Sequence, residues 1–95
     1  MNGIFIDTPF AKMIVNGEKK YDFKKQKPPS YMIGNPLYLI CDEGVIGEIM
    51  ITNCRYNQVK HSYYMEITLL KNYSKPKTYQ SLKKNGEWVT EINID

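Results

Sequence analysis

The sequence predicts an α+β fold, a small β-barrel of about six short strands with one short helix after the first strand. Two observations carry this reading. Short apolar or alternating runs recur at close spacing, parted by glycine, proline and polar residues, as in a small barrel or strongly curled sheet. One stretch, residues 8–17, carries helix punctuation at both ends. The 95 residues fit one domain, 1–95. A chain of that size buries roughly 60–68% of its unfolded surface, enough for one modest core.

Ile4-Phe5-Ile6 is too brief for a helix and reads as a buried strand. Thr8 and Pro9 then start the helix, a hydroxyl to cap free amides followed by a residue that has no amide to satisfy. Phe10, Met13 and Ile14 form its apolar stripe, and Asn16-Gly17 ends it. From Lys20 to Lys24 the chain alternates. Tyr21 and Phe23 fall on one side and Lys20, Asp22 and Lys24 on the other, as in a half-buried strand. Tyr and Trp on strand faces are read as core more readily than as a stacking platform, and Trp88 in particular as core filler.

Lys27-Pro28-Pro29-Ser30 breaks that strand, and Tyr31–Asn35 is a loop or a single turn. Leu37–Cys41 is apolar throughout, a strand buried on both sides. Asp42-Glu43-Gly44 reverses the chain into a strand from Val45 to Tyr56. Gly47 marks a bulge or a close backbone approach within it. A polar connection, Asn57–Ser62, leads to a fifth strand, Tyr63–Lys71, with Tyr63, Met65, Ile67 and Leu69 on one side. Pro76 and the polar run to Gly86 are expected to form a loop with one helical turn around Tyr79–Leu82. Trp88, Thr90, Ile92 and Ile94 alternate with Glu87, Val89, Glu91 and Asn93 in a closing strand.

Apolar and charged fractions of 42% and 24% are those of an ordinary soluble domain. No run approaches the ~20 apolar residues of a membrane span, and the start lacks a signal-peptide layout; the expected location is cytoplasmic. Cys41 and Cys54 read as buried reduced thiols. With His61 the only histidine, the chain lacks the ligands of a zinc site, so no metal or cofactor is expected. A Cys54–His61 catalytic pair rests on two residues alone. The net charge is +3, and ten of the thirteen basic residues fall in two segments. These are Lys19, Lys20, Lys24, Lys25 and Lys27, then Lys71, Lys75, Lys77, Lys83 and Lys84. Such clustering attracts polyanions such as nucleic acid, although a solvated lysine face gives the same pattern.

The densest chemistry lies in Gly17-Glu18-Lys19-Lys20-Tyr21-Asp22-Phe23-Lys24, where two ammonium groups flank a carboxylate at a helix-to-strand corner. This octapeptide resembles the Gly-x-Lys-x-x-Glu-x-Arg signature of the ASCH domains, within the PUA-like superfold. The Ile4–Ile6 strand and Phe10–Val15 helix lead into it as in that family. Gly44-Val45-Ile46-Gly47-Glu48-Ile49 and the Tyr73–Pro76 stretch are similar too, so the resemblance runs from Ile4 to about Lys77. Asp22 stands for the signature glutamate, one methylene shorter. Lys24 stands for the arginine and lacks its two-point planar grip.

The resemblance implies a PUA-like barrel whose cleft is lined by the signature residues and binds RNA, a nucleotide or a modified nucleoside. Lys19 and Lys24 would meet phosphate, Asp22 would accept from an exocyclic amine or orient Lys19, and Lys20, Lys25 and Lys27 would add general attraction. Glu48, after the Gly47 bulge, and Arg55, at a strand end, are secondary candidates. A few small relatives resemble amidohydrolases of acetylated cytidine, using the signature lysine and a threonine three residues on. Here that position holds Asp22, which cannot simply replace a hydroxyl nucleophile. A third reading leaves the corner as a structural ion pair, worth about 0–1 kcal/mol if exposed.

Overall fold

The computed structural model describes the backbone of residues 1–94 and their side chains, except those of Leu82, Lys83 and Asn85. The fold is α+β, mostly strand. Its elements are β1 (Gly3–Phe5), α1 (Thr8–Val15), β2 (Tyr21–Lys24), β3 (Pro36–Cys41), β4 (Gly44–Asn57), β5 (Ser62–Lys77), β6 (Tyr79–Asn85) and β7 (Trp88–Ile94). A single 3-10 turn, Ser30–Met32, follows the prolines. The strands form one mixed sheet in the order β2-β5-β4-β3-β1-β7-β6. β1 and β3 run parallel, which requires the crossover that α1 provides, and the other pairs are antiparallel.

Seven strands stand where the sequence predicts about six. The difference is β6, which replaces the expected loop and helical turn around Tyr79–Leu82 and pairs with β7 from Tyr79↔Ile94 to Asn85↔Trp88. Its polar composition suits an edge strand. β5 also runs past Lys71 to Lys77, carrying Pro76 near its end. Among the described residues β2 and β6 share no ladder, so the sheet is open between its two edges.

The N-cap of α1 is Asp7, without a side-chain capping bond, and not Thr8, whose hydroxyl accepts from the Asp42 amide at 3.2 Å and ties the helix to the β3–β4 turn. Gly17 ends it with φ +79°, a conformation that disfavours a side chain. Ala11 and Ile14 are the buried helix positions, while Phe10 and Met13 are exposed. They join Ile4, Ile6, Leu37, Leu39, Ile49, Ile51, Met65 and Trp88 in the main core. Ile40, Val45, Val89 and Ile92 form a second core on the opposite face, so β3 is buried on both sides as its apolar run requires. At Gly47 both ladders of β4 shift register, and an added Cβ would stand 2.4 Å from the Lys71 carbonyl.

Candidate functional site, a charged seam at the edge of the sheet

β2 reverses the expected polarity. Asp22 and Lys24 are the buried residues, 7% and 6% exposed, whereas Tyr21 is 43% exposed. The register explains the geometry. Asp22 lies opposite Met65, whose side chain belongs to the main core, and Phe23 lies opposite Tyr64 on the outer face. Alternation sets a period of two but does not decide which side faces inward.

Inside, four charges stand in a row. The Lys24 ammonium donates to the Phe5 carbonyl at 3.0 Å and forms a short ion pair with Glu87. It also stands 3.4 Å from Asp22 Oδ2, outside hydrogen-bond geometry. On the other side, Lys19 Nζ reaches Asp22 Oδ1 at 3.5 Å, the longest contact of the group. Glu87 lies in the turn between β6 and β7. The Lys24–Glu87 pair therefore joins one edge strand to the hairpin that carries the other, 63 positions away. Gln26 packs on the same turn, close enough that an added Cβ at Gly86 would meet its side-chain oxygen at 2.6 Å. Side chains cross the gap that backbone hydrogen bonds leave open.

The two lysines stand differently. Lys24 is buried, donates to the Phe5 carbonyl and to Glu87, and has Asp22 Oδ2 at 3.4 Å as a further counter-charge. Lys19 sits over the Phe10 ring at 4.3 Å and the Tyr21 ring at 5.3 Å. It borders a cleft of about 290 Å³ with Lys20 and the apolar walls Ile14, Ile67 and Leu69. Asp22 is the least satisfied member. Oδ2 is buried without a donor, and Oδ1 accepts one bond at limiting length, although a carboxylate has about four lone-pair sites.

Of the residues singled out from sequence, the fold brings Lys19, Asp22 and Lys24 together, with Lys20 at the cleft beside them. Glu48 and Arg55 stand elsewhere. Glu48 lies opposite Tyr38, which packs on the second core. There it accepts from the Tyr73 phenol and pairs with Lys71 at 3.7 Å. Burial, and then the Glu48 carboxylate, push the Tyr73 phenol well above its ordinary range. Arg55 lies opposite Tyr64 on the outer face, over that ring. Sequence reasoning missed Glu87, whose only signal is a charged residue after Gly86 at a hairpin turn. The side chain of Lys83, part of the second basic segment, lies outside the described residues. Cys41 and Cys54 are free thiols, and burial raises the Cys54 pKa.

Among the described residues no helix is long and apolar enough to cross a membrane. No known family model matches the chain, and no curated protein matches it.

Proposed function

We propose that this domain binds RNA, a nucleotide or a modified nucleoside at the Lys19–Asp22 end of the seam. The observation that carries this reading is Asp22, a sequestered carboxylate left short of donors between two ammonium groups. An exocyclic amine supplies the missing donor, because an under-satisfied buried acceptor gains its full desolvation cost back when paired. Lys19 is the more loosely held partner, its 3.5 Å contact with Asp22 Oδ1 being the longest of the cluster, and it lies within reach of a phosphate at the cleft it borders. The neighbouring apolar cleft, near the lower end of small-molecule pockets in size, suits a planar base.

The resemblance of the octapeptide to the ASCH signature supports the same reading, and with it a PUA-like barrel whose last gap is closed by Lys24 and Glu87. In this division of labour Lys24 holds the seam and Lys19 with Asp22 meets the ligand. A second reading, amide hydrolysis of an acetylated nucleoside, draws on the contact between Lys19 and Asp22, since a paired amine and carboxylate can exchange a proton.

Calorimetric titration with cytidine, acetylcytidine and cytidine monophosphate tests the assignment. Lys19→Ala is expected to weaken binding about tenfold or more, the worth of one charged hydrogen bond. Equal affinity in both proteins overturns it. Release of acetate by the wild type but not by Lys19→Ala moves the hydrolytic reading to the front.

A further inference from the structure

The outer face of β2, β5 and β4 carries a ring cluster that meets the corner at one residue, Tyr21, whose ring lies 5.3 Å from Lys19 Nζ. Tyr21 and Tyr64 stack with ring centroids 5.8 Å apart and planes 28° apart. Phe23 meets both edge-on, at 6.0 Å and 5.4 Å. Cations cover these rings. Arg55 lies 5.0 Å from the Tyr64 centroid, and Lys60 lies 5.0 Å from that of Phe23. Among the described residues neither Arg55 nor Lys60 has a carboxylate partner. By register, Glu66 opposite Tyr21 is the carboxylate of this face. A strand that buries its charges, exposes Tyr21 and leaves Phe23 half-buried needs a reason, because aromatic surface left in water loses the stabilisation that burial would bring.

We infer that this face is a stacking platform for single-stranded nucleic acid. Bases stack on Tyr21 and Tyr64, while Arg55 and Lys60 move from the rings to the phosphates between the bases. The chemistry is complementary on both counts. The rings offer π faces to planar groups of any base, and the two cations lack an anion that the polymer supplies. The exchange is favourable because a cation–π contact at an exposed site is weaker than base stacking joined to a phosphate contact. The inference rests on the nucleic-acid reading of the corner and names the polymer and the surface that reading leaves open.

Fluorescence anisotropy with a labelled oligouridylate, beside a duplex RNA of equal length, tests it. The wild type is expected to prefer the single strand. Tyr64→Ala should weaken binding about 5- to 150-fold, and Tyr64→Phe should restore it, since the ring and not the hydroxyl stacks. Should Tyr64→Ala unfold by circular dichroism, Tyr21→Ala at the exposed position carries the same test. Arg55→Gln and Lys60→Gln should each flatten the salt dependence by about 0.7 per lost phosphate contact. No binding of oligouridylate by the wild type, or full affinity in Tyr21→Ala and Tyr64→Ala, overturns the platform. Tyr64 and Arg55 separate the two sites, because Tyr21 also touches Lys19 and its variant is read beside nucleotide titration. Loss of oligomer binding with nucleotide binding still dependent on Lys19 removes the platform alone. Ring-dependent oligomer binding with no nucleotide response removes the corner assignment alone.

Discussion

Two carboxylates are drawn into this sheet, Asp22 on the main-core face and Glu48 on the opposite one, and they are finished to different degrees. Glu48 accepts a hydrogen bond from the Tyr73 phenol on Oε2, with the Lys71 ammonium 3.7 Å from the same oxygen, and Tyr73 itself packs against the second core. Asp22 lies between two ammonium groups, yet it accepts one long hydrogen bond and keeps an oxygen with no donor. Buried polar groups in folded proteins are normally paired, so each exception asks for an explanation; Trp88 Nε1 in the main core is another. The comparison sets a carboxylate tied to the second core beside one that, on the proposed reading, meets a ligand. It also shows why charge alone is a poor guide, since both acids would count equally in a tally of residues.

The largest effect is expected where the unfinished carboxylate depends most on its neighbour. Lys24→Ala leaves Asp22 buried beside a single distant ammonium and frees the Phe5 carbonyl and Glu87. Breaking a buried pair by removing one partner costs about 3–5 kcal/mol. In a domain of this size each kcal/mol is worth about 4–8 °C in Tm. Thermal unfolding followed by circular dichroism measures it. A loss below about 1 kcal/mol would mean that the seam is held by packing, and that Lys24 resembles an exposed ion pair after all. Glu87→Gln should cost far less, because the Glu87 side chain is 45% exposed and solvent screens its charge.

Asp22→Asn is expected to split stability from binding. Lys24 keeps Glu87 and the Phe5 carbonyl, so the fold should lose about 1 kcal/mol or less. Affinity for cytidine should fall about tenfold, because a charged acceptor becomes a neutral amide. Glu48→Gln provides the contrast, with a similar change in stability and none in cytidine affinity. If both variants bind cytidine equally well, the difference between the two carboxylates has no functional meaning.

Much of this was legible in the chain, and the gaps have physical causes. Pro9 and Gly17 bracket α1, and the unbroken apolar run of Leu37–Cys41 announces a strand covered on both faces. Gly47 signals both the bulge and the close approach of Lys71. The helix stripe was off by a fraction of a turn, because Ala11, small enough to sit against the sheet, takes the place expected for Phe10 and Met13. The face of β2 was not readable. Local alternation is symmetrical, and what draws Asp22 and Lys24 inward is Glu87 and the Phe5 carbonyl, neither of which is local in sequence. β6 escaped for a related reason, since a polar edge strand paired on one side has no hydrophobic signature of its own.

The finished carboxylate makes the smallest prediction and one confined to alkaline pH. In the folded chain, burial and then Glu48 hold the Tyr73 phenol protonated well above its ordinary value of 10.0. In the unfolded chain it titrates normally. Below pH 10 both states carry the proton and the pair contributes its full stability. Above pH 10 the unfolded state releases a proton that the folded state keeps, so stability falls as pH rises. Tyr73→Phe should remove that alkaline slope while losing about 1 kcal/mol at neutral pH, where the hydrogen bond to Glu48 is gone. Urea unfolding at neutral and alkaline pH measures both. A slope unchanged in Tyr73→Phe would assign the alkaline loss to the other tyrosines and lysines, and would leave Glu48 no more completely satisfied than Asp22.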